Sequence, residues 1–158
     1  SDSSCAKVVH QICGDKQVYL IVGIKPESRM WHRLRDGTKD LNVFWTRLES
    51  WASPGVPDLH GIVNGKSFWI ELKVHRLKSL KKIQLRPHQI AWQIRYAAEF
   101  GQVWNLVEQP SSGTVNLFHG SRAIELGGET EEKGDLIPDW SSPIKCDYEG
   151  LLKYLLSS

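Results

Sequence analysis

The sequence predicts an α/β fold in which a mixed β-sheet is flanked by helices. Two alternating apolar runs, 58–63 and 67–74, surround an Asn-Gly pair, which is the strongest short-range signal for a two-residue hairpin turn. A helical pattern follows at 87–100, with proline at its first position and glycine just after its end. The next run, 102–108, has strand composition, so we expect this helix to be a right-handed crossover between parallel strands.

The first 51 residues contain a short apolar stretch, a β-rich run and a predicted helix. An apolar stretch at 8–12 and a β-rich run at 17–24 come before Pro26, which we interpret as ending the second run. Between Asp40 and Trp51, apolar residues recur at helical spacing after a plausible N-cap. This spacing predicts an amphipathic helix that leads into the hairpin.

The C-terminal part predicts one further strand, a loop and a final helix. Residues 114–119 follow a Ser-Ser-Gly turn and have strand composition. Residues 127–145 are polar, acidic and interrupted by proline, which predicts a loop. Residues 148–156 form an amphipathic pattern with three leucines, and we expect this helix to cover the core rather than to meet a partner chain.

The composition of the chain is that of one globular domain covering residues 1–158. Its 158 residues are 41% hydrophobic and 24% charged, which is enough for a real core. No apolar run is long enough to span a bilayer and no export signal opens the sequence, so we expect a cytoplasmic protein. The three cysteines are scattered and odd in number, which is typical of free thiols.

A net charge of +2 hides a basic block in the middle of the chain. Residues 72–98 contain seven lysines and arginines and no acidic residue. Such a block suits binding to a polyanion, although a solvated surface would also explain it. The residues that we expect to contact nucleic acid are Arg76, Lys78, Lys81, Lys82, Arg86 and His88. A second basic segment, 29–39, is a further candidate for contact with a DNA backbone.

The predicted hairpin gathers two carboxylates and a lysine on one face. With Asn64-Gly65 as the turn, Asp58 lies opposite Glu71, and Lys73 projects to the same side. Like charges placed opposite each other repel, so either one carboxyl is protonated or a cation bridges the pair. We expect Mg²⁺, bound by Asp58, Glu71 and the carbonyl of Leu72. The other face carries an apolar set that should be buried: Leu59, Val63, Phe68, Ile70, Leu72 and Val74.

Three segments resemble the motifs of the PD-(D/E)XK nuclease superfamily. They are Ser-Pro-Gly-Val-Pro-Asp-Leu at 53–59, Glu-Leu-Lys at 71–73, and Leu-Arg-Pro-His-Gln-Ile at 85–90. Within the superfamily, the chain resembles the virus-type replication-repair nuclease (VRR-NUC) branch, archaeal-type Holliday junction resolvases, and small phage-encoded or homing endonucleases. The resemblance covers about residues 40–120, and residues 1–39 and 121–158 have no counterpart in these motifs.

The resemblance implies a restriction-endonuclease-like fold and a role for each matching residue. Asp58 and Glu71 match the metal-binding acids, and Lys73 matches the catalytic lysine. Glu49 and Gln89 match residues that reach the same site from two helices, although either one is also explained as an ordinary helix residue. The implied cofactor is Mg²⁺, for which Mn²⁺ could substitute.

The function that we expect is Mg²⁺-dependent endonuclease cleavage of double-stranded DNA. Site-specific cutting by a phage-encoded or homing-type enzyme is the preferred form. A chain this small has a single active site, so cutting both strands suggests a homodimer. The alternatives are a Holliday junction or other structure-specific nuclease, an RNA-directed nuclease, and a DNA-binding module that has lost catalysis. The last should lack an acid or the lysine, and all three residues are present.

Overall fold

The computed structural model describes residues 6–13, 16–23, 26–48, 54–127 and 134–157. Within these residues, no helix has the length and apolar content needed to cross a membrane. The strands are β1 (Ala6–Cys13), β2 (Lys16–Gly23), β3 (Phe44–Arg47), β4 (Leu59–Val63), β5 (Lys66–Val74), β6 (Val103–Gln109), β7 (Thr114–His119) and β8 (Trp140–Pro143). The helices are α1 (Pro26–Gly37), α2 (Pro87–Ala98), α3 (Ala123–Gly127) and α4 (Tyr148–Ser157), and a short 3₁₀ turn, Gly120–Arg122, leads into α3.

The central feature is a six-stranded mixed sheet with the strand order β3-β4-β5-β6-β7-β8. β5 and β6 are parallel, and the other neighbouring strands are antiparallel. A connection between parallel neighbours must cross over the sheet, and α2 lies in that connection as the sequence predicts. β1 and β2 form a separate antiparallel pair. The predicted α/β class with a mixed sheet is therefore confirmed.

Helices pack against both faces of the sheet. One buried cluster joins α1 and α4 to β4, β5, β6 and β7, and it includes Leu106. A second cluster joins α3 and the segment 80–85 to β6 and β7, with α2 packed against it, and it includes Val107. Leu106 and Val107 are consecutive residues of one strand and so project to opposite faces. The protein thus has three layers, with α1 and α4 on one side and α2 and α3 on the other.

The hairpin of β4 and β5 has the register that the sequence predicts. Leu59 pairs with Ile70, His60 with Trp69 and Val63 with Lys66. Asn64 and Gly65 have positive φ values of 51° and 75°, as a type I′ turn requires. The predicted apolar face is buried except for Val74, which is partly buried.

The predicted helix between residues 40 and 51 is wrong. Residues 38–42 form a turn and Phe44–Arg47 is the edge strand β3, while residues 49–53 lie outside the described part of the chain. The helical spacing was misleading because Phe44 is 69% exposed and does not face the core. Trp45 faces it instead, with its ring 5.8 Å from that of Trp31 and 5.5 Å from that of Phe68.

Two other boundaries also differ from the sequence-based expectation. The run before Pro26 is strand β2, as expected, but Pro26 is also the first residue of α1, which the sequence analysis did not predict, so the basic segment 29–39 is largely helical. The predicted loop 127–145 includes β8, which pairs with β7 at the sheet edge, where Pro143 is tolerated because an edge strand has a side that donates no ladder hydrogen bonds. The final helix is present, and its three leucines are buried, as predicted for a core-covering helix.

Candidate active site

Asp58 lies at the start of the hairpin, immediately before β4. Its side-chain Oδ2 accepts a hydrogen bond from the backbone N–H of Leu72 at 2.9 Å, and its backbone carbonyl accepts one from the N–H of Leu48 at 2.8 Å. The Asp58 carboxyl therefore accepts the hydrogen bond that the Leu72 N–H would otherwise donate to a backbone carbonyl of a neighbouring strand. This contact holds it beside Glu71 on β5, as the predicted register requires.

Glu71 is a buried carboxyl with an incomplete set of partners. Only 3% of the residue is exposed, and Oε1 accepts a hydrogen bond from Nε2 of Gln89 at 2.8 Å. The ammonium of Lys73 lies 3.6 Å from the same oxygen. The other oxygen, Oε2, is buried and has no hydrogen-bond partner among the described residues.

The surroundings of both carboxyls disfavour their charged forms. Burial raises the pKa of Glu71 to about 8, and the neighbouring Asp58 adds to the rise, while Lys73 opposes it. Burial also raises the pKa of Asp58, against the effects of the Leu72 amide and of Lys73. Two adjacent carboxyls in this state would release protons on binding a cation.

Gln89 lies between the lysine and Glu71 and contacts both. Its Oε1 accepts from Nζ of Lys73 at 3.2 Å and from the backbone N–H of Arg86 at 2.9 Å. The second contact uses an amide at the start of α2 that has no partner within the helix. The start of α2 therefore fixes the Gln89 side chain, and Gln89 in turn orients Glu71 and Lys73.

The loop that precedes Asp58 is packed against the start of α2. Gly55 is buried and has a φ of +92°, and a Cβ atom added there would lie 2.5 Å from the backbone oxygen of His88. Glycine is needed at this position because of both the conformation and the close approach. The contact brings the two parts of the site, the hairpin and the helix, together.

The residues of the site fit a hard divalent cation. Glu71 Oε2 is a buried oxygen that no described residue contacts by a hydrogen bond, and the Asp58 carboxyl is adjacent. The backbone N–H of Leu72 points toward Asp58. In a β-strand the carbonyl of a residue points to the same side as its N–H. The Leu72 carbonyl, which we expected to bind the metal, is therefore directed toward the Asp58 side of β5. The described residues contain no group of three or more His, Cys, Asp or Glu side chains arranged to bind a metal ion. Mg²⁺ does not need one, because water and phosphate oxygens complete its octahedron.

One acidic residue near the site was missed, and another cannot be placed. Glu27, in the first turn of α1, interacts electrostatically with Asp58 and raises its pKa. The Pro26-Glu27 pair is a typical helix start, but we interpreted the proline as the end of a strand. The predicted site residue Glu49 lies outside the described residues.

The predicted nucleic-acid contacts lie in the segment between β5 and α2 and at the start of α2. Leu80, Ile83 and Leu85 of this segment are buried in the second core cluster. The Gln109 amide donates to the carbonyls of Leu77 and Lys78, and a ring nitrogen of His75 lies 2.7 Å from the Ser79 carbonyl oxygen. The segment is thus anchored from within. The residues that we expect to contact nucleic acid, in this segment and at the start of α2, are exposed: Arg76, Lys78, Lys81, Lys82, Arg86 and His88.

The second basic segment, 29–39, lies mostly on α1 and is engaged in internal contacts only in part. Arg33 forms an ion pair with Glu108 of β6, and Trp31 is buried.

Aromatic rings pack beside the site. The ring of His60 lies against that of Trp69, with ring centroids 4.7 Å apart. Trp69 also contacts the rings of Trp92 and Tyr96 on α2. These contacts are packing interactions at the border of the site.

Comparison with known proteins finds a solved structure but no sequence family. No family model matches the chain, and no curated protein matches it. Among solved structures, the chain is similar to Hjc, a Holliday junction resolvase from the archaeal hyperthermophile Archaeoglobus fulgidus. The two chains are 18% identical, the TM-score is 0.49, and the alignment covers 75% of this chain and 96% of Hjc. The likeness concerns the path of the backbone alone.

Proposed function

We propose that the protein is a Mg²⁺-dependent DNA endonuclease of the PD-(D/E)XK type. The observation that carries the proposal is the pair of adjacent carboxyls, Glu71 buried and Asp58 partly buried, with Lys73 beside it. Glu71 Oε2 has no hydrogen-bond partner among the described residues. A buried acidic pair is destabilising unless a proton or a cation compensates it. Metal-dependent phosphodiester hydrolysis accounts for the carboxyls and the lysine together.

Each residue has a distinct task in this proposal. Asp58, Glu71 and the Leu72 carbonyl would hold Mg²⁺ or Mn²⁺, which supplies Lewis-acid activation of a phosphate oxygen and of a water molecule. Lys73 Nζ donates to Gln89 and lies near Glu71, from where its ammonium can offset negative charge that develops on the phosphate. Gln89 holds Glu71 Oε1, so that carboxylate is oriented before substrate binds.

The substrate that we propose is duplex DNA. The cationic segment before α2 directly connects the strand of Lys73 to the helix of Gln89, so phosphates bound there would lie next to the site. A chain with one such site cuts one strand at a time, and a two-fold homodimer would cut both. Site-specific cutting, in a phage-encoded or homing setting, is the finer form of this proposal.

A cleavage assay tests the function. Linear duplex libraries and a synthetic four-way junction are incubated with Mg²⁺, Mn²⁺ or EDTA, using the wild type, Lys73→Met, and the exposed-lysine control Lys145→Met. We expect discrete duplex cuts that require a divalent cation, that fall by about 100-fold or more in Lys73→Met, and that persist in Lys145→Met.

Each other result has a clear meaning. Cutting restricted to the four-way junction would indicate a resolvase activity and would contradict the proposed site-specific cutting of duplex DNA. DNA binding without cation-dependent cleavage of any substrate would contradict the nuclease proposal, and a binding module would then explain the chain better.

A further inference from the structure

A pair of buried amides ties α2 to the sheet beside the candidate active site. Gln93 Nε2 donates to Asn105 Oδ1 at 2.8 Å, and Asn105 Nδ2 donates back to Gln93 Oε1 at 2.7 Å. Both side chains are fully buried. Two reciprocal hydrogen bonds constrain both the separation and the relative orientation of the amides, because hydrogen bonds are directional and apolar contacts are not.

The amide pair is adjacent to Glu71. Asn105 on β6 is the register partner of Glu71 on β5, so the two side chains project from the same face of strands about 4.8 Å apart. Gln93 follows Gln89 by one helical turn, so both glutamines lie on the same side of α2. Successive turns of the helix thus bond to neighbouring strands, through Gln89 to Glu71 and through Gln93 to Asn105.

Fold stability alone does not require such a pair. Replacing both partners of a buried hydrogen bond by apolar groups of similar shape is often nearly neutral. The pair has another effect, because the Asn105 amide donates its hydrogen bond to Gln93 and not to Glu71. Glu71 Oε2, on the neighbouring strand, has no hydrogen-bond partner among the described residues. An Asn105 amide released from Gln93 would be an unpaired hydrogen-bond donor on the strand next to Glu71.

We propose that Gln93 and Asn105 are positioning residues for the candidate active site. They fix α2 over β5 and β6, so that Gln89 holds Glu71 Oε1 and Lys73 Nζ, and they leave Glu71 Oε2 available to a cation. This inference rests on the proposed nuclease function, and it assigns to the two amides a role that acts through Gln89 and Glu71 rather than on the substrate.

The test removes both amides together. The double variant Gln93→Met/Asn105→Val leaves neither partner unpaired, and Asn116→Val is the matched control because it removes a buried amide from β7. We expect kcat of the double variant to fall by about tenfold or more, since small misplacements of catalytic groups have large effects on rate. KM and DNA affinity should stay within about twofold, and the control should keep its kcat.

Two further measurements separate positioning from a merely structural role. The exchange variant Gln93→Asn/Asn105→Gln retains both amides and should recover most of the lost kcat. The side-chain amide signal of Gln89 in ¹⁵N NMR spectra, assigned by its loss in Gln89→Met, should show faster hydrogen exchange in the double variant than in the wild type. If the double variant does not fold, Gln93→Asn alone shortens one amide and tests the same effect.

Specific results would overturn the inference. A folded double variant that keeps wild-type kcat and an unchanged Gln89 signal would do so, and so would an equal fall of kcat in Asn116→Val. If the wild type cuts no DNA with any cation, the proposed function fails. The Gln89 signal would still decide whether the amide pair positions that side chain.

Discussion

At the scale of single residues, the main feature of the candidate site is that the Glu71 carboxyl is buried and only partly compensated by its neighbours. Glu71 is almost completely buried, yet one of its oxygens has no hydrogen-bond partner among the described residues. Lys73 and Gln89 both engage the other oxygen, so the compensation is one-sided. Such a residue lowers the stability of the protein on its own, and the cation that we propose for the site would offset this cost.

Replacing Glu71 by glutamine should stabilise the cation-free protein in a pH-dependent way. The folded-state pKa of about 8 lies above the ordinary value of 4.5, so the folded state holds the proton more tightly than the unfolded state does. The wild type therefore loses stability as pH rises from about 5 to 8, and Glu71→Gln removes that loss. Since one pKa unit corresponds to about 1.4 kcal/mol, the variant should be more stable by at least about 1 kcal/mol at pH 8.

Urea unfolding in EDTA at pH 5 and pH 8 measures this difference. The gain in the free energy of unfolding should be small at pH 5 and larger at pH 8. An equal gain at both values would mean that Glu71 is charged throughout, and its raised pKa would then be wrong. Cleavage by the variant should be lost despite its greater stability.

At the scale of elements, the segment between β5 and α2 combines an apolar anchor with a cationic surface. Leu80, Ile83 and Leu85 are buried, while Lys78 and Lys81 between or beside them are exposed. A surface held in this way presents its charges in a defined arrangement. Its contribution to DNA binding should therefore exceed that of equal charges elsewhere on the protein.

The double variant Lys78→Gln/Lys81→Gln should bind duplex DNA more weakly and with a weaker salt dependence. Each lost phosphate contact should reduce the slope of log K against log salt by about 0.9. Fluorescence anisotropy in Ca²⁺ across a salt series gives both quantities. The control Lys145→Gln/Lys153→Gln removes the same charge near and on α4, where both residues are exposed. Equal losses in the two variants would show that only net charge matters.

At the scale of the whole molecule, the candidate site and the larger apolar cluster lie on different faces of the sheet. α1 and α4 cover the face that carries the larger apolar cluster. α2 covers the face from which Glu71 and Lys73 project, and it supplies Gln89. The candidate site and the larger apolar cluster thus lie on opposite sides of one sheet, while the second, smaller cluster shares the side of the site.

Leu155→Ala tests this division. Leu155 is fully buried on α4, so its truncation should cost about 2–5 kcal/mol of unfolding free energy. The control Leu77→Ala removes a side chain that is 64% exposed, and it should change stability by less than about 0.5 kcal/mol. Thermal unfolding measures both effects. Below its melting temperature, Leu155→Ala should cleave DNA at the wild-type rate, and a large loss of kcat there would show that the two faces are coupled.

The sequence by itself determined the hairpin and the residues that it brings together. The Asn-Gly turn and the alternation of apolar residues are local signals, and the register that buries Leu59 and Ile70 is also the register that places Asp58 beside Glu71. The α2 helix and the parallel pairing of β5 and β6 were predictable for the same reason, since proline, glycine and strand composition mark them along the chain.

The tertiary structure alone decided the elements whose pattern is ambiguous. β3 and β8 are short edge strands that form because β4 and β7 offer them backbone partners, and their own residues favoured a helix and a loop. Pro26 is compatible with either a strand end or a helix start, so the place of Glu27 near Asp58 became visible only in the folded chain. The same holds for the Gln93 and Asn105 pair, because a contact between a helix and a strand depends on how the two pack and not on either pattern.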